Sequence, residues 1–240
     1  MKQGFVKVAS ATPRIRVADP VYNAQVICEQ AKEAAEHGAK IVVFPELCIT
    51  GYTCNDLFLQ ELLLEKAKEA LLTIAEETGQ LETLFLVGLP VDKDGRLYNV
   101  AAVLYRGRIL GMIPKKNIPM YAEFYEGRHF TPGEETVTEY RLGKQVIPFG
   151  SNLLFRCEEL PELILGCELC EDLWVAEPPS TSHALMGATV IANLSASNET
   201  VSKDDYRTLL IKASSARLLC GYIYILKYHC SQTNMTHRIY

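Results

Sequence analysis

The sequence predicts an α/β domain, on three observations. Short apolar runs stopped by proline, glycine or a charge alternate with stretches whose apolar residues recur at helical spacing. Two alternating runs meet at Arg106-Gly107, a hairpin signal that adds some antiparallel pairing. No repeat, low-complexity tract or linker divides the 240 residues, and a hydrophobic content of 48% is enough for a full core.

Taken in order, Gly4 to Ser10 alternates apolar and polar residues and fits a strand. Ala24, Ile27, Ala31, Ala34 and Ala35 then fall at helical spacing, and His37-Gly38 ends that helix. "AKIVVFPE" is a buried strand stopped by Pro45. Leu57 to Thr78 reads as one long amphipathic helix closed by Gly79, and "TLFLVGLP" as a second buried strand. "LYNVAAVLYRGRILGMIPK" is the hairpin, and residues 127–161 are rich in turns and short strands. "ATVIANLSAS" is another buried strand, and Lys203 to Cys220 another helix. Helices are expected on at least one face of these strands.

Charge and hydropathy exclude several classes. The net charge is −5 and no segment forms a basic stripe, which argues against nucleic acid. No apolar run approaches the ~20 residues of a membrane span. The N-terminus MKQGFVKVAS enters a strand pattern at once, without the apolar region of a signal peptide. A soluble cytoplasmic protein is expected, with its eight cysteines as free thiols.

The segment "GCELCED", residues 166–172, holds two cysteines three apart after an apolar run. A metal site would need two further ligands at similar spacing, and no second pair or histidine cluster supplies them. A thioredoxin-type motif opens a helix and carries small or aromatic residues between its cysteines, whereas Glu-Leu stands here. If residues 162–170 form a strand, Cys170 lies at its carboxyl end, where open α/β sheets place reactive groups. Spacing alone leaves two readings open, a nucleophile with a tuned pKa and a buried small hydrophobe.

Two other strand ends bear on that choice. Glu46 follows "IVVFP", and Lys115 follows "ILGMIP". Each on its own reads as a charge that marks where a strand meets solvent. Together, a carboxylate, an ammonium and a thiol at three strand ends are what amide-cleaving thiol chemistry requires: a base for the sulfur proton, a cation for the oxyanion and a nucleophile.

These residues carry a resemblance. "FPELCITGY", "PKKNIPMYAEFYEGRHFTPG" and "GCELCEDLWV" resemble the three motif blocks of the nitrilase (carbon–nitrogen hydrolase) superfamily, in the chain order Glu, Lys, Cys, within a likeness spanning about residues 5–224. "GYTCNDLF", "IPMYAEFYEGRHFTPG", "CEDLWVAEPPS" and "GATVIANLSAS" look most like one branch, the glutaminase domain of glutamine-dependent NAD synthetases.

The resemblance implies a four-layer α-β-β-α sandwich with Glu46 as general base, Lys115 as oxyanion-stabilising lysine and Cys170 as nucleophile. Lys115 is selected over Lys116 because the family's lysine directly follows the proline-ended strand and stands four residues before a second proline, here Pro119. Cys167 is then a core thiol. By the same similarity Tyr121, Ser197 and Lys203 line a glutamine pocket, and Glu126 and Glu171 are candidates for holding Lys115 and the substrate amino group. The family more often has arginine where Lys203 stands, and lysine lacks the planar two-pronged grip on a carboxylate. The implied reaction releases ammonia from L-glutamine through a thioester, with a backbone N–H near residue 171 assisting Lys115. It needs no metal or organic cofactor. ATP and nicotinic acid adenine dinucleotide would belong to a synthetase domain, whose SGGxDS loop has no counterpart in this sequence.

Two other readings are a stand-alone amidase of the same superfamily acting on another small amide, and a non-catalytic scaffold subunit. The expected organisation is a C-terminally incomplete nitrilase-like domain at residues 1–224 and an atypical tail at 225–240, "ILKYHCSQTNMTHRIY", from a fragment or a shifted frame. A homo-oligomer is expected as well.

Overall fold

A computed structural model describes residues 5–228 of the chain. In chain order the elements are β1 (Val8–Ser10), α1 (Pro20–Glu36), β2 (Ile41–Val43), α2 (Glu61–Glu77), β3 (Leu84–Lys93), β4 (Arg96–Tyr105), β5 (Arg108–Pro114), β6 (Thr138–Leu142), β7 (Gln145–Phe149), β8 (Leu154–Arg156), β9 (Ile164–Leu169), α3 (Pro179–Leu185), β10 (Val190–Ser197), α4 (Lys203–Leu218) and β11 (Gly221–Tyr228).

Local chemistry accounts for several boundaries. Asp19 caps α1 by accepting from the Tyr22 N–H at 3.1 Å, Pro20 opens the helix, and Gly38 follows its end at φ +83°. Arg106 and Gly107 both have positive φ, as a two-residue turn of the hairpin β4–β5 requires. Asp94-Gly95 makes the same kind of turn between β3 and β4.

The strands form two sheets. Seven lie in the order β1-β2-β3-β4-β5-β7-β6, parallel from β1 to β3 and antiparallel from β3 to β5; four lie in the order β11-β10-β9-β8, parallel except for the edge strand β8. Alternation along β2 shows how the layers stack. Val42 packs with Ile27, Ala31, Leu71 and Ile74 of α1 and α2. Its neighbours Ile41 and Val43 face the other way, into a core shared with Leu165, Leu169, Leu194 and Ile223 of the second sheet. On the outer face of that sheet Ile191, Tyr222 and Tyr224 pack with Ile211 of α4. The result is the expected α-β-β-α sandwich. A one-residue slip of β2 would exchange the two apolar interfaces, so register is strongly specified.

Four expectations change. The helix foreseen from Leu57 begins only at Glu61: residues Tyr52–Leu59 form tight 3-10 turns broken at Asn55, and Gln60 is extended. Tertiary contacts prevail there, because Cys54 and Phe58 are buried with Leu97 and Phe130, and Asp56 is bound by Arg128 at 2.7 Å. The short helix α3 was not foreseen; its first turn is held by Glu168 Oε2, which accepts from the Ser180 N–H at 2.9 Å. The first strand starts at Val8, and Gly4 lies outside the described residues. Strand β11 continues to Tyr228, so the boundary expected at 224 falls inside it, and the remaining tail lies outside the described residues. Among the described residues no helix is long and apolar enough to cross a membrane.

The strand ends at one edge of the sandwich carry the residues singled out above. Glu46 follows β2, Lys115 follows β5, Cys170 follows β9, and Ser197 ends β10.

Candidate active site

Glu46 sits in a tight turn after β2. Leu47 takes positive φ, and the Gly51 N–H bonds back to the Leu47 carbonyl at 2.7 Å. The turn crosses β3 at Gly88, where a Cβ would lie 2.4 Å from Leu47 N and 2.6 Å from the Pro45 carbonyl oxygen. Glycine is therefore required at 88 by close backbone approach rather than by conformation.

Lys115 is fixed by its backbone on both sides: its N–H donates to the Asn99 carbonyl at 2.8 Å, and its carbonyl accepts from the Gly133 N–H at 2.7 Å. The Lys115 side chain is wholly buried and donates to Glu46 Oε1 at 2.7 Å and Glu126 Oε1 at 2.6 Å. The neighbouring Lys116 points outward and pairs with Glu135. Asn99 Nδ2 donates to Glu46 Oε1 at 2.7 Å and to Glu126 Oε2 at 3.4 Å, while the Tyr52 hydroxyl donates to Glu126 Oε1 at 2.6 Å. The second sheet contributes the Ala196 N–H, which donates to Glu46 Oε2 at 2.8 Å.

Cys170 stands where β9 turns into a short 3-10 segment, with φ +41°, a left-handed conformation that costs a non-glycine residue about 1–3 kcal/mol and must be held by its surroundings. Its thiol donates to the Ala196 carbonyl at 3.6 Å. Cys167, three residues earlier, is buried between the sheets with Leu165 and Leu169.

The electrostatics follow from burial. Burial pushes Glu46 up to about 7, with Lys115 pulling it down and Glu126 pushing it further up. Burial works against the charge on Lys115, but Glu126 and Glu46 outweigh it and hold the ammonium well above its usual value. Burial, then Glu46, raises the Cys170 thiol well above its ordinary range, despite the opposing pull of Lys115. At neutral pH the thiol holds its proton, and Glu46 is poised to exchange one.

Cys170 opens onto a cavity of about 410 Å³ lined by Tyr121, Glu171, Trp174, Ser197 and Lys203 among others. The Tyr121 hydroxyl donates to Glu171 Oε2 at 2.9 Å. Lys203 Nζ donates to Ser197 Oγ at 3.0 Å and contacts Asn198, with its ammonium 5.3 Å from the Trp174 ring centre. The cavity lining thus carries both an acidic and a basic side chain. Every expected site residue lies either at this cavity or, for Glu46, Lys115 and Glu126, in the buried network beside Cys170. Of the two glutamates left undivided by sequence, Glu126 binds Lys115 and Glu171 faces the cavity.

Sequence reading missed Asn99, Tyr52 and the Ala196 backbone. Asn99 left a signal, since an asparagine inside the apolar run "LYNVAAVLY" must find buried partners. Among the described residues no group of three histidine, cysteine or acidic side chains could hold a metal.

Comparison with known proteins agrees with this architecture. The glutamine-dependent NAD(+) synthetase of Mycobacterium bovis is 41% identical over 223 residues, which are 93% of this chain and 33% of that protein. The glutamine-dependent NAD(+) synthetase of Thermotoga maritima is 34% identical over 204 residues, 85% of this chain and 32% of that one. The chain therefore spans about a third of the length of these curated relatives. The crystal structure of a glutamine-dependent NAD(+) synthetase from Cytophaga hutchinsonii superposes with a TM-score of 0.82 at 29% identity, over 92% of this chain and 36% of that one. An amidase from Nesterenkonia sp. shares the fold, with a TM-score of 0.72 at 19% identity over 95% of this chain and 80% of its own. Residues 7–232 match the carbon–nitrogen hydrolase family, whose relatives share this four-layer sandwich, and the chain belongs to that family.

Proposed function

We propose that this chain hydrolyses the side-chain amide of glutamine and supplies the ammonia to a synthetase domain that uses ATP to amidate nicotinic acid adenine dinucleotide. The observation that carries this reading is the cavity at Cys170. Its lining includes both Glu171 and Lys203, a match for the α-ammonium and α-carboxylate of an amino acid whose amide reaches the thiol. A simple short amide would leave both charged side chains unused. The names of these curated relatives point the same way.

In this reading Glu46 takes the Cys170 proton as sulfur attacks the amide carbon, and the carbonyl electron pair moves onto oxygen. Lys115 has three N–H groups, two of them on Glu46 and Glu126, which leaves one for the oxyanion. Glu46 then returns the proton to the amide nitrogen, the C–N bond breaks, and ammonia leaves a thioester. Water attacks that thioester, giving its proton to Glu46; the C–S bond breaks, glutamate departs, and the thiol recovers its proton. The sum is glutamine plus water to glutamate plus ammonia. Glu126 keeps Lys115 charged throughout.

Ammonia release from glutamine, measured beside release from other short amides, tests the substrate. An electrophilic glutamine analogue followed by mass spectrometry tests the nucleophile. An adduct on Cys170 is expected; an adduct on Cys167, or faster turnover of an uncharged amide, would sink the reading. The proposal extends to self-association of at least two copies, which light scattering of the purified chain decides.

A further inference from the structure

Lys115 leaves β5 of the first sheet and Cys170 leaves β9 of the second, so no strand ladder joins the two segments that carry them. One buried side chain does. Asp172, two residues after Cys170, accepts with Oδ1 from the Asn117 N–H at 2.8 Å and from Asn117 Nδ2 at 2.9 Å. With Oδ2 it accepts from the Leu169 N–H at 3.0 Å. A single carboxylate therefore holds the residue two beyond Lys115 and the residue just before Cys170.

We propose that Asp172 is a positioning residue that sets the spacing between the Lys115 ammonium and the Cys170 thiol. The inference rests on the amide-hydrolase reading above, because that reaction needs both groups at one carbonyl. The bond to Leu169 closes the turn around Cys170 and so helps hold its left-handed backbone. The bonds to Asn117 then reference that turn to the Lys115 segment. All three partners are N–H donors, and a carboxylate only accepts, so it satisfies all of them at once. An asparagine of the same shape would turn an N–H₂ group toward one of these donors and break one side of the bridge. Burial raises the Asp172 carboxyl to about 6 while the Leu169 and Asn117 donors pull it down, so the bridge is ionised at neutral pH.

The test uses the full chain with Asp172→Asn, Asn117→Ala and the double variant, each with kcat normalised by active-site titration with the electrophilic glutamine analogue. Since a misplacement of about 1 Å costs on the order of a hundredfold, Asp172→Asn should lower kcat by about ten- to a hundredfold with KM changed by less than about threefold. Asn117→Ala removes one of the three donors and should lower kcat less. The double variant should be no worse than Asp172→Asn, because the two side chains act through one contact.

A folded Asp172→Asn protein with wild-type kcat would overturn the proposal. So would a loss confined to KM or to the titre of active sites, which a merely structural brace would produce, and so would additive losses. If Asp172→Asn does not fold, Asn117→Ala decides, and an unchanged kcat there is fatal. If the wild-type chain hydrolyses no amide, the functional reading fails on its own, and the bridge is read from iodoacetamide labelling of Cys170. Lys115 favours the thiolate there, against Glu46 and Glu126. Slower labelling in Asp172→Asn supports the proposal, and an unchanged rate overturns it.

Discussion

Glu46 and Cys170 are tied to the two ends of one residue: the Ala196 N–H donates to the Glu46 carboxylate at 2.8 Å, and the Ala196 carbonyl accepts from the Cys170 thiol at 3.6 Å. The carboxylate belongs to the first sheet, whereas the thiol and Ala196 belong to the second. The closed sandwich thus sets carboxylate and thiol against a common backbone reference, and in the proposed reaction proton transfer between them depends on how the two sheets pack.

The first prediction concerns pH. Burial raises Glu46 to about 7, and in the proposed reaction it acts as base only when ionised. As pH falls through about 7 the protonated fraction grows, so kcat/KM for glutamine should fall toward tenfold per pH unit. Glu126 pushes Glu46 up, and Glu126→Gln removes that charge, so the acid limb of the surviving activity should move to lower pH. A pH profile of kcat/KM checks both statements; a limb that stays in place in Glu126→Gln contradicts the electrostatic account.

The second separates the two cysteines. Cys170→Ala should lower glutamine turnover by at least about a thousandfold, because it removes a covalent pathway. Cys167→Ala exchanges a core thiol for a smaller group and should cost about 1 kcal/mol of stability with turnover within about threefold of wild type. Equal losses of turnover in two folded variants would restore a paired-cysteine reading.

The third concerns Gly88. A methyl group there would meet Leu47 N at 2.4 Å and the Glu46 carbonyl carbon at 2.8 Å, both main-chain atoms. The turn bearing Glu46 must shift, so Gly88→Ala should lose about 1–3 kcal/mol of stability. Turnover should drop by about a hundredfold through displacement of the base. Thermal melting and kcat are the measurements, and wild-type kcat would show that the turn can yield.

The fourth tests the basic residue of the cavity lining, Lys203. Lys203→Met removes a charged donor and should raise KM for glutamine about ten- to a hundredfold with little change in kcat. Lys203→Arg restores the planar fork that suits a carboxylate and should keep or lower KM. An unchanged KM in Lys203→Met would remove this residue from the substrate site.

The sequence by itself determined which residue types stand at the ends of β2, β5 and β9, because hydrophobic periodicity and chain-breaking prolines are local properties. Glu46, Lys115 and Cys170 could be named for that reason, and the hairpin at Arg106-Gly107 as well. Choosing Lys115 over Lys116 took family spacing, and the structure places Lys116 on the surface with Glu135. Only the tertiary structure decided that Glu126 partners Lys115 while Glu171 faces the cavity, and that Asn99, Tyr52 and the Ala196 backbone join them. These contacts join residues up to 150 positions apart, between segments whose separation no local pattern encodes. The late start of α2 has the same origin: the periodicity around Leu57 permits a helix, but burying Phe58 against Phe130 and binding Asp56 to Arg128 stabilises tight turns instead.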